Sequence, residues 1–178
     1  MNMNMNKAST MRNALTGILL SLLLAACGFQ LRGVANLPFE SLYVDGRANP
    51  GLAAEIGLAI RSGTQTRLTD KAADAQAVLQ VQGASQEKRI LSLSGAGRVR
   101  EYELIYRVSF RLQDREGRDL ISRQPIELRR DMAYDDTQII AKEQEEALLY
   151  RDMQSYAVAQ LMRRLVAAKP QPADENQP

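Results

Sequence analysis

The sequence predicts an α+β domain in which two helices pack on one face of a mixed four-stranded sheet. Three observations predict it. Apolar periodicities follow one another in the order strand, helix, three strands, helix. One strand alternates so regularly that only one of its faces can be covered. The last helix carries a single inward stripe, so it lies on a surface rather than passing through a core.

Residues 28 to 39 form a lead punctuated by glycine and proline, and Ser41 to Val44 is a short first strand closed by Asp45-Gly46. Asn49-Pro50 starts the first helix, because Asn accepts from free N–H groups and Pro suits the first helical position. Leu52, Ile56, Ala59 and Ile60 share one face, and Gly63 sits where a cap belongs, so this helix covers about residues 50 to 62. From Ala77 the period becomes alternating. A second strand runs from there through Val78 to Gln82 and on to Ile90 and Leu93, and Ser94-Gly95-Ala96-Gly97 turns the chain. In the third strand Tyr102, Leu104, Tyr106, Val108, Phe110 and Leu112 alternate with Glu101, Glu103, Ile105, Arg107, Ser109, Arg111 and Gln113. After a turn over Asp114 to Asp119, a fourth strand spans about Leu120 to Tyr134, and Pro125 places it at an edge or a bulge. Asp135-Asp136 caps a long helix ending near Ala168. Its stripe is Leu149, Met153, Ala157, Gln160, Leu161, Arg164 and Leu165, with Tyr150 and Tyr156 flanking.

The two ends of the chain have other roles. Lys7 and Arg12 precede an apolar run from Ala14 to Ala26, broken only by Thr16, Gly17 and Ser21. That run is shorter than the roughly 20 residues needed to span a bilayer. It ends in Leu24-Ala25-Ala26-Cys27, a pattern similar to a bacterial lipobox: small residues fit a narrow peptidase groove, and the thiol accepts a diacylglycerol. Residues 1–26 are thus expected to be a removed signal, Cys27 the lipidation site and only cysteine, and 27–168 one periplasmic domain. Two or three acyl chains on Cys27 hold a membrane far better than one. Gly28 stands where an inner-membrane retention signal would have Asp, which points to the periplasmic face of the outer membrane. Residues 169–178 contain three prolines and no aliphatic side chain larger than Ala, the composition of a disordered tail.

Composition excludes much chemistry. The signal holds two of the 23 basic residues and none of the 21 acidic ones, so the mature chain has 21 of each and no pull toward nucleic acid. There is no histidine, and once Cys27 is lipidated no thiol, which removes Ser-His and Cys-His nucleophiles and zinc sites built on those residues. No metal, cofactor or catalytic residue is expected. Carboxylate chemistry of the glycosidase kind would have to use Glu101 and Glu103, Asp135-Asp136, or Glu143, Glu145 and Glu146. The first pair lies on a solvated strand face, and the others sit near a helix start, where negative charge is favoured. Charge is also uneven. Residues 88 to 130 carry eleven basic side chains against six acidic, while residues 131 to 152 carry seven acidic against two basic. An arginine-rich sheet face can grip phosphates through bidentate forks, or it can be a solvated face paired with the acidic helix start.

Three segments resemble a known family. The start Cys27-Gly28-Phe29-Gln30-Leu31-Arg32-Gly33, the hairpin Ser94-Gly95-Ala96-Gly97-Arg98 leading into Glu101-Tyr102-Glu103-Leu104, and the helix from Ala141-Lys142-Glu143-Gln144-Glu145 to Leu161-Met162-Arg163-Arg164-Leu165 are similar to the lipopolysaccharide-assembly lipoproteins, LptE. The resemblance implies two helices on a four-stranded sheet. It also implies a domain that plugs the LptD β-barrel one to one, helps it assemble, and contacts lipopolysaccharide. Basic residues near the hairpin and the last helix make that contact in the family, which points to Lys142, Arg98 and Arg100, although the hairpin tip itself is Gly95 and Ala96. The alternative is an accessory lipoprotein of an ABC-type envelope lipid-transport system.

Overall fold

The computed structural model describes residues 36–168; Cys27, the signal segment and the tail lie outside the described residues. Strand β1 (Ser41–Asp45) ends in a turn where Arg47 donates to the Asp45 carboxylate, at 2.9 Å from Nε and 2.7 Å from Nη2. Gly46 is required there, since a Cβ would lie 2.0 Å from that of Ala53. Helix α1 (Pro50–Gly63) begins as anticipated: the Asn49 Oδ1 accepts from the Leu52 N–H at 3.0 Å, and Pro50 opens the first turn. Its buried stripe is Leu52, Ile56, Gly57 and Ile60.

The sheet has five strands, not four. The additional one is β2 (Arg67–Leu68), which pairs parallel to β1 through Ser41↔Arg67 and Leu42↔Leu68. Two residues are too few to show any period. What holds them is tertiary: the buried Thr66 hydroxyl donates to the Phe39 carbonyl at 3.0 Å. The remaining strands are β3 (Ala77–Leu93), β4 (Val99–Asp114) and β5 (Asp119–Ala133), and the spatial order is β2-β1-β3-β4-β5. β1 pairs parallel to β3, while β3, β4 and β5 form an antiparallel meander.

Both meander turns use one device. Ser94 and Asp114 each accept, through a side-chain oxygen, from the N–H four residues later, Arg98 at 3.1 Å and Arg118 at 2.8 Å. In each, the glycine three residues on has a positive φ, +77° at Gly97 and +82° at Gly117, which a side chain would oppose.

β5 is one edge of the sheet, one of the two placements that Pro125 allows. Pro125 has no N–H, and its carbonyl accepts from Arg164 at 3.1 Å, so two groups that could template another strand are blocked. The long helix starts later than expected. Asp135 accepts from the Thr137 N–H at 2.9 Å and caps a 3₁₀ turn over Asp136–Gln138, and α2 is Ile139–Val166. The local hydrogen bond of the aspartate favours a tight turn over a full helical start.

Both helices lie on one face of the sheet. Leu104, Tyr106, Val108, Phe110 and Leu112 of β4 pack with Leu79, Ile126 and Met132 of its neighbours, with Ile56 and Ile60 of α1, and with Met153, Leu161 and Leu165 of α2. Tyr150 and Val158 are buried on α2 as well, whereas Tyr156 is exposed. A polar clip joins the helices: Gln154 Nε2 and the Ser155 hydroxyl donate to Glu55 at 2.6 and 2.9 Å. Burial, then the Glu55 charge, pushes the Tyr106 phenol up to about 12.

Candidate functional site

Two surfaces carry the polar chemistry. The first is the sheet face turned away from the helices. Registers Glu87↔Ile105, Arg89↔Glu103 and Arg107↔Glu127 set charges of opposite sign beside one another across three strands. Arg107 donates to Glu87 at 2.6 Å and to Glu127 at 2.6 Å; Arg129 donates to Glu127 at 2.6 Å and to Glu103 at 3.3 Å; Arg89 pairs with Glu87. Three arginines and three glutamates thus form a neutral lattice. Hydrogen bonds from Arg89 and Arg107 hold the Glu87 carboxyl below its usual value, and those from Arg107 and Arg129 do the same for Glu127. Beneath the lattice Ile105 is fully buried, although it faces away from the helices. Farther along, Arg111 lies 3.6 Å from Asp119 and donates to Gln80 and Gln113.

This geometry corrects the reading of an arginine face open to phosphate. The forks of Arg89, Arg107 and Arg129 are already occupied, mostly by carboxylates of the sheet itself. Among the described residues, only the ion pairs Lys88–Glu146 at 2.5 Å and Arg98–Asp136 at 3.6 Å cross from the meander to the start of the last helix region.

The second surface is the end of the molecule where the β3–β4 turn meets the start of α2. Lys88 sits 4.3 Å from the Tyr102 ring centre and 5.8 Å from that of Tyr134, and the two rings meet edge to face at 5.0 Å. This cluster, with the Tyr150 hydroxyl donating to the Glu87 carbonyl at 2.8 Å, pins the hairpin to α2. The three cations singled out from sequence all come to this end. Arg98 is exposed and holds Asp136 only loosely. Arg100 is exposed, makes no ion pair among the described residues, and accepts through its carbonyl from the Tyr134 N–H at 2.8 Å. Lys142 differs: its ammonium lies 2.8 Å from Glu145, and the side chain is only 18% accessible. Cys27 lies outside the described residues.

Sequence reasoning missed the apolar part of this end. Ile90, Leu91, Leu93, Ile139 and Ile140 are all exposed, Ile140 at 73%. Two adjacent isoleucines opening a helix, with a second apolar cluster just before a turn, were the available signal.

No group of three or more metal-ligating side chains occurs among the described residues, and none of their helices is long and apolar enough to cross a membrane. Fold and surfaces define an α+β domain whose described polar side chains largely pair with one another. Over residues 39–165 the chain matches the lipopolysaccharide-assembly family LptE, and it belongs to that family of non-enzymatic outer-membrane lipoproteins. It is 29% identical to the LPS-assembly lipoprotein LptE of Photorhabdus laumondii, covering 94% of this chain and 95% of that one. It is similar to the solved structure of an uncharacterized lipoprotein B from Nitrosomonas europaea, with 44% identity, a TM-score of 0.69, and 79% and 91% of the two chains covered. The rare lipoprotein B of Shewanella oneidensis is 30% identical with a TM-score of 0.61, covering 71% of this chain and 94% of that one.

Proposed function

We propose that the protein, anchored to the outer membrane by acyl chains on Cys27, plugs an LptD-type β-barrel one to one, aids its assembly, and binds lipopolysaccharide. The domain sits in the barrel lumen. A barrel interior is polar, and the neutral Arg–Glu lattice offers such a wall hydrogen bonds without net charge. The lipopolysaccharide part rests on one observation: the hairpin end places cations beside uncovered aliphatic side chains. An amphiphile carrying phosphates and acyl chains suits that combination, since guanidinium groups make charge-assisted bonds to phosphate. Arg98 and Arg100 carry the contact, with Lys142 contributing less because Glu145 holds it.

The test is retention of the wild type, Arg98→Asp/Arg100→Asp and Lys142→Asp on immobilised lipopolysaccharide at low and high salt. The wild type is expected to bind at low salt and weaken as salt rises, the double variant to be lost even at low salt, and Lys142→Asp to fall between. Equal retention in every condition would remove lipopolysaccharide binding from the role.

A further inference from the structure

At the opposite end of α2, roughly 40 Å from its first turn by the rise of an α-helix, stands a second group of cations without ion-pair partners among the described residues. A groove of about 620 Å³ lies between the first half of β5 and the last turn of α2, and Arg123 and Arg164 line it together with Ser122 and Gln124. Neither arginine has an ion-pair partner among the described residues. Asp119, also in the lining, is turned to other partners: Gln113 donates to it at 3.0 Å, and Arg111 lies 3.6 Å away. Arg164 uses one N–H on the Pro125 carbonyl and rests 5.8 Å from the Phe110 ring, which fixes its position and leaves other donors of its fork unused. Farther up the same seam Arg130 lies 5.5 Å from the Tyr156 ring, likewise without a carboxylate partner among the described residues.

The sheet's ionic face is the opposite case. There, Arg89, Arg107, Arg111 and Arg129 each meet a carboxylate. Along this seam Arg123 and Arg164 share one lining with no ion-pair partner among the described residues. The dipole of α2 accounts for a cation at Arg164, near the helix C-terminus, but not for those on β5. The groove is within the size range of small-ligand sites, and Ser122 and Gln124 offer a hydroxyl and an amide of the kind that bond sugar hydroxyls.

We propose that this seam is a second binding site, for the phosphate or carboxylate of a saccharide, with Arg123 and Arg164 as its anion-gripping residues. The site is independent of the hairpin end. Its ligand is either a free sugar phosphate or the phosphorylated sugar portion of a lipid-linked glycan.

The experiment is a titration of the full chain in detergent, followed through its backbone amide resonances. Probes are glucose, glucose 6-phosphate, glucuronate, and the phosphorylated saccharide released from lipopolysaccharide by deacylation. Glucose should leave the spectrum unchanged. Glucose 6-phosphate or glucuronate should move resonances at 119–124 and 164–168. Tighter binding of the released saccharide would assign the lipid-linked source, and equal or weaker binding the free one. Arg123→Gln should weaken binding about tenfold, the loss expected for one charged hydrogen-bonding group. Arg164→Lys should retain part of it, and Arg98→Asp/Arg100→Asp should leave it unchanged. Absence of shifts at these residues, or shifts that persist undiminished in Arg123→Gln, would overturn the proposal. Binding that emerges only when Asp174 and Glu175 are replaced by Asn and Gln would also overturn it, by making the chain's own carboxylates the occupants.

Discussion

The two faces of β4 hold the sheet by different means. Toward the helices, Leu104, Tyr106, Val108, Phe110 and Leu112 are buried among aliphatic and aromatic neighbours. On the other face Glu103, Arg107 and Arg111 alternate with smaller groups and cross-link three strands by charge. Each uncharged residue of the inner face loses its surface to water permanently, and that burial is the main source of stability. The charged face gives little stability per pair, because exposed ion pairs are screened and cost side-chain entropy. Its use is a surface that stays polar and neutral. Ile105 breaks the simple division: it is an aliphatic residue of the charged face, yet it is fully buried.

The largest expected effect lies on the inner face. Phe110→Ala should destabilise the domain by about 3–5 kcal/mol, as complete burial of a ring predicts, measured by thermal or denaturant unfolding. Ile105→Ala should cost about 2–4 kcal/mol, although it sits on the charged face. A loss near zero would mean that the lattice is open to water.

The lattice itself is tested by pH. Glu87 and Glu127 have folded values below the ordinary 4.5, so their contribution is fully present above that value and is lost as pH falls through the folded value. Arg107→Ala removes a hydrogen-bond donor from both, so the loss of stability on acidification below pH 4.5 should be shallower than in the wild type. Superimposable pH profiles would sink the lattice. The smallest effect belongs to the hairpin end. Arg98→Asp should change stability by less than about 0.5 kcal/mol, since the residue is exposed and its one ion pair is long.

How much of this could be read from the residues follows from the range of each interaction. The alternation of β4 was legible because its period of two persists through a dozen residues, and the same pattern correctly set Leu104, Val108 and Phe110 inside. Pro125 announced an edge or a bulge through its missing donor, and β5 shows both: it is an edge strand, and its register on β4 shifts between Phe110 and Leu112. The pairing of Lys142 with Glu145 lies within one helical turn, a spacing at which side chains on a helix meet. β2 was illegible, because two residues held by a distant hydroxyl carry no pattern. The ionic lattice was illegible for a different reason. Its partners are set by register, and the register of β3 on β4 shifts at Val81/Gly83, so alternation alone cannot say which glutamate meets Arg107. Sequence supplied the arginines and the glutamates, and only the fold showed that they satisfy one another.

In the proposed function this domain acts by filling a barrel, with no covalent chemistry of its own. Affinity purification of the full chain from detergent-solubilised outer membrane tests it most directly. One heavy β-barrel partner at equal stoichiometry is the predicted result. Recovery of the chain alone, or with the components of an ABC-type lipid transporter in place of a barrel, would contradict it.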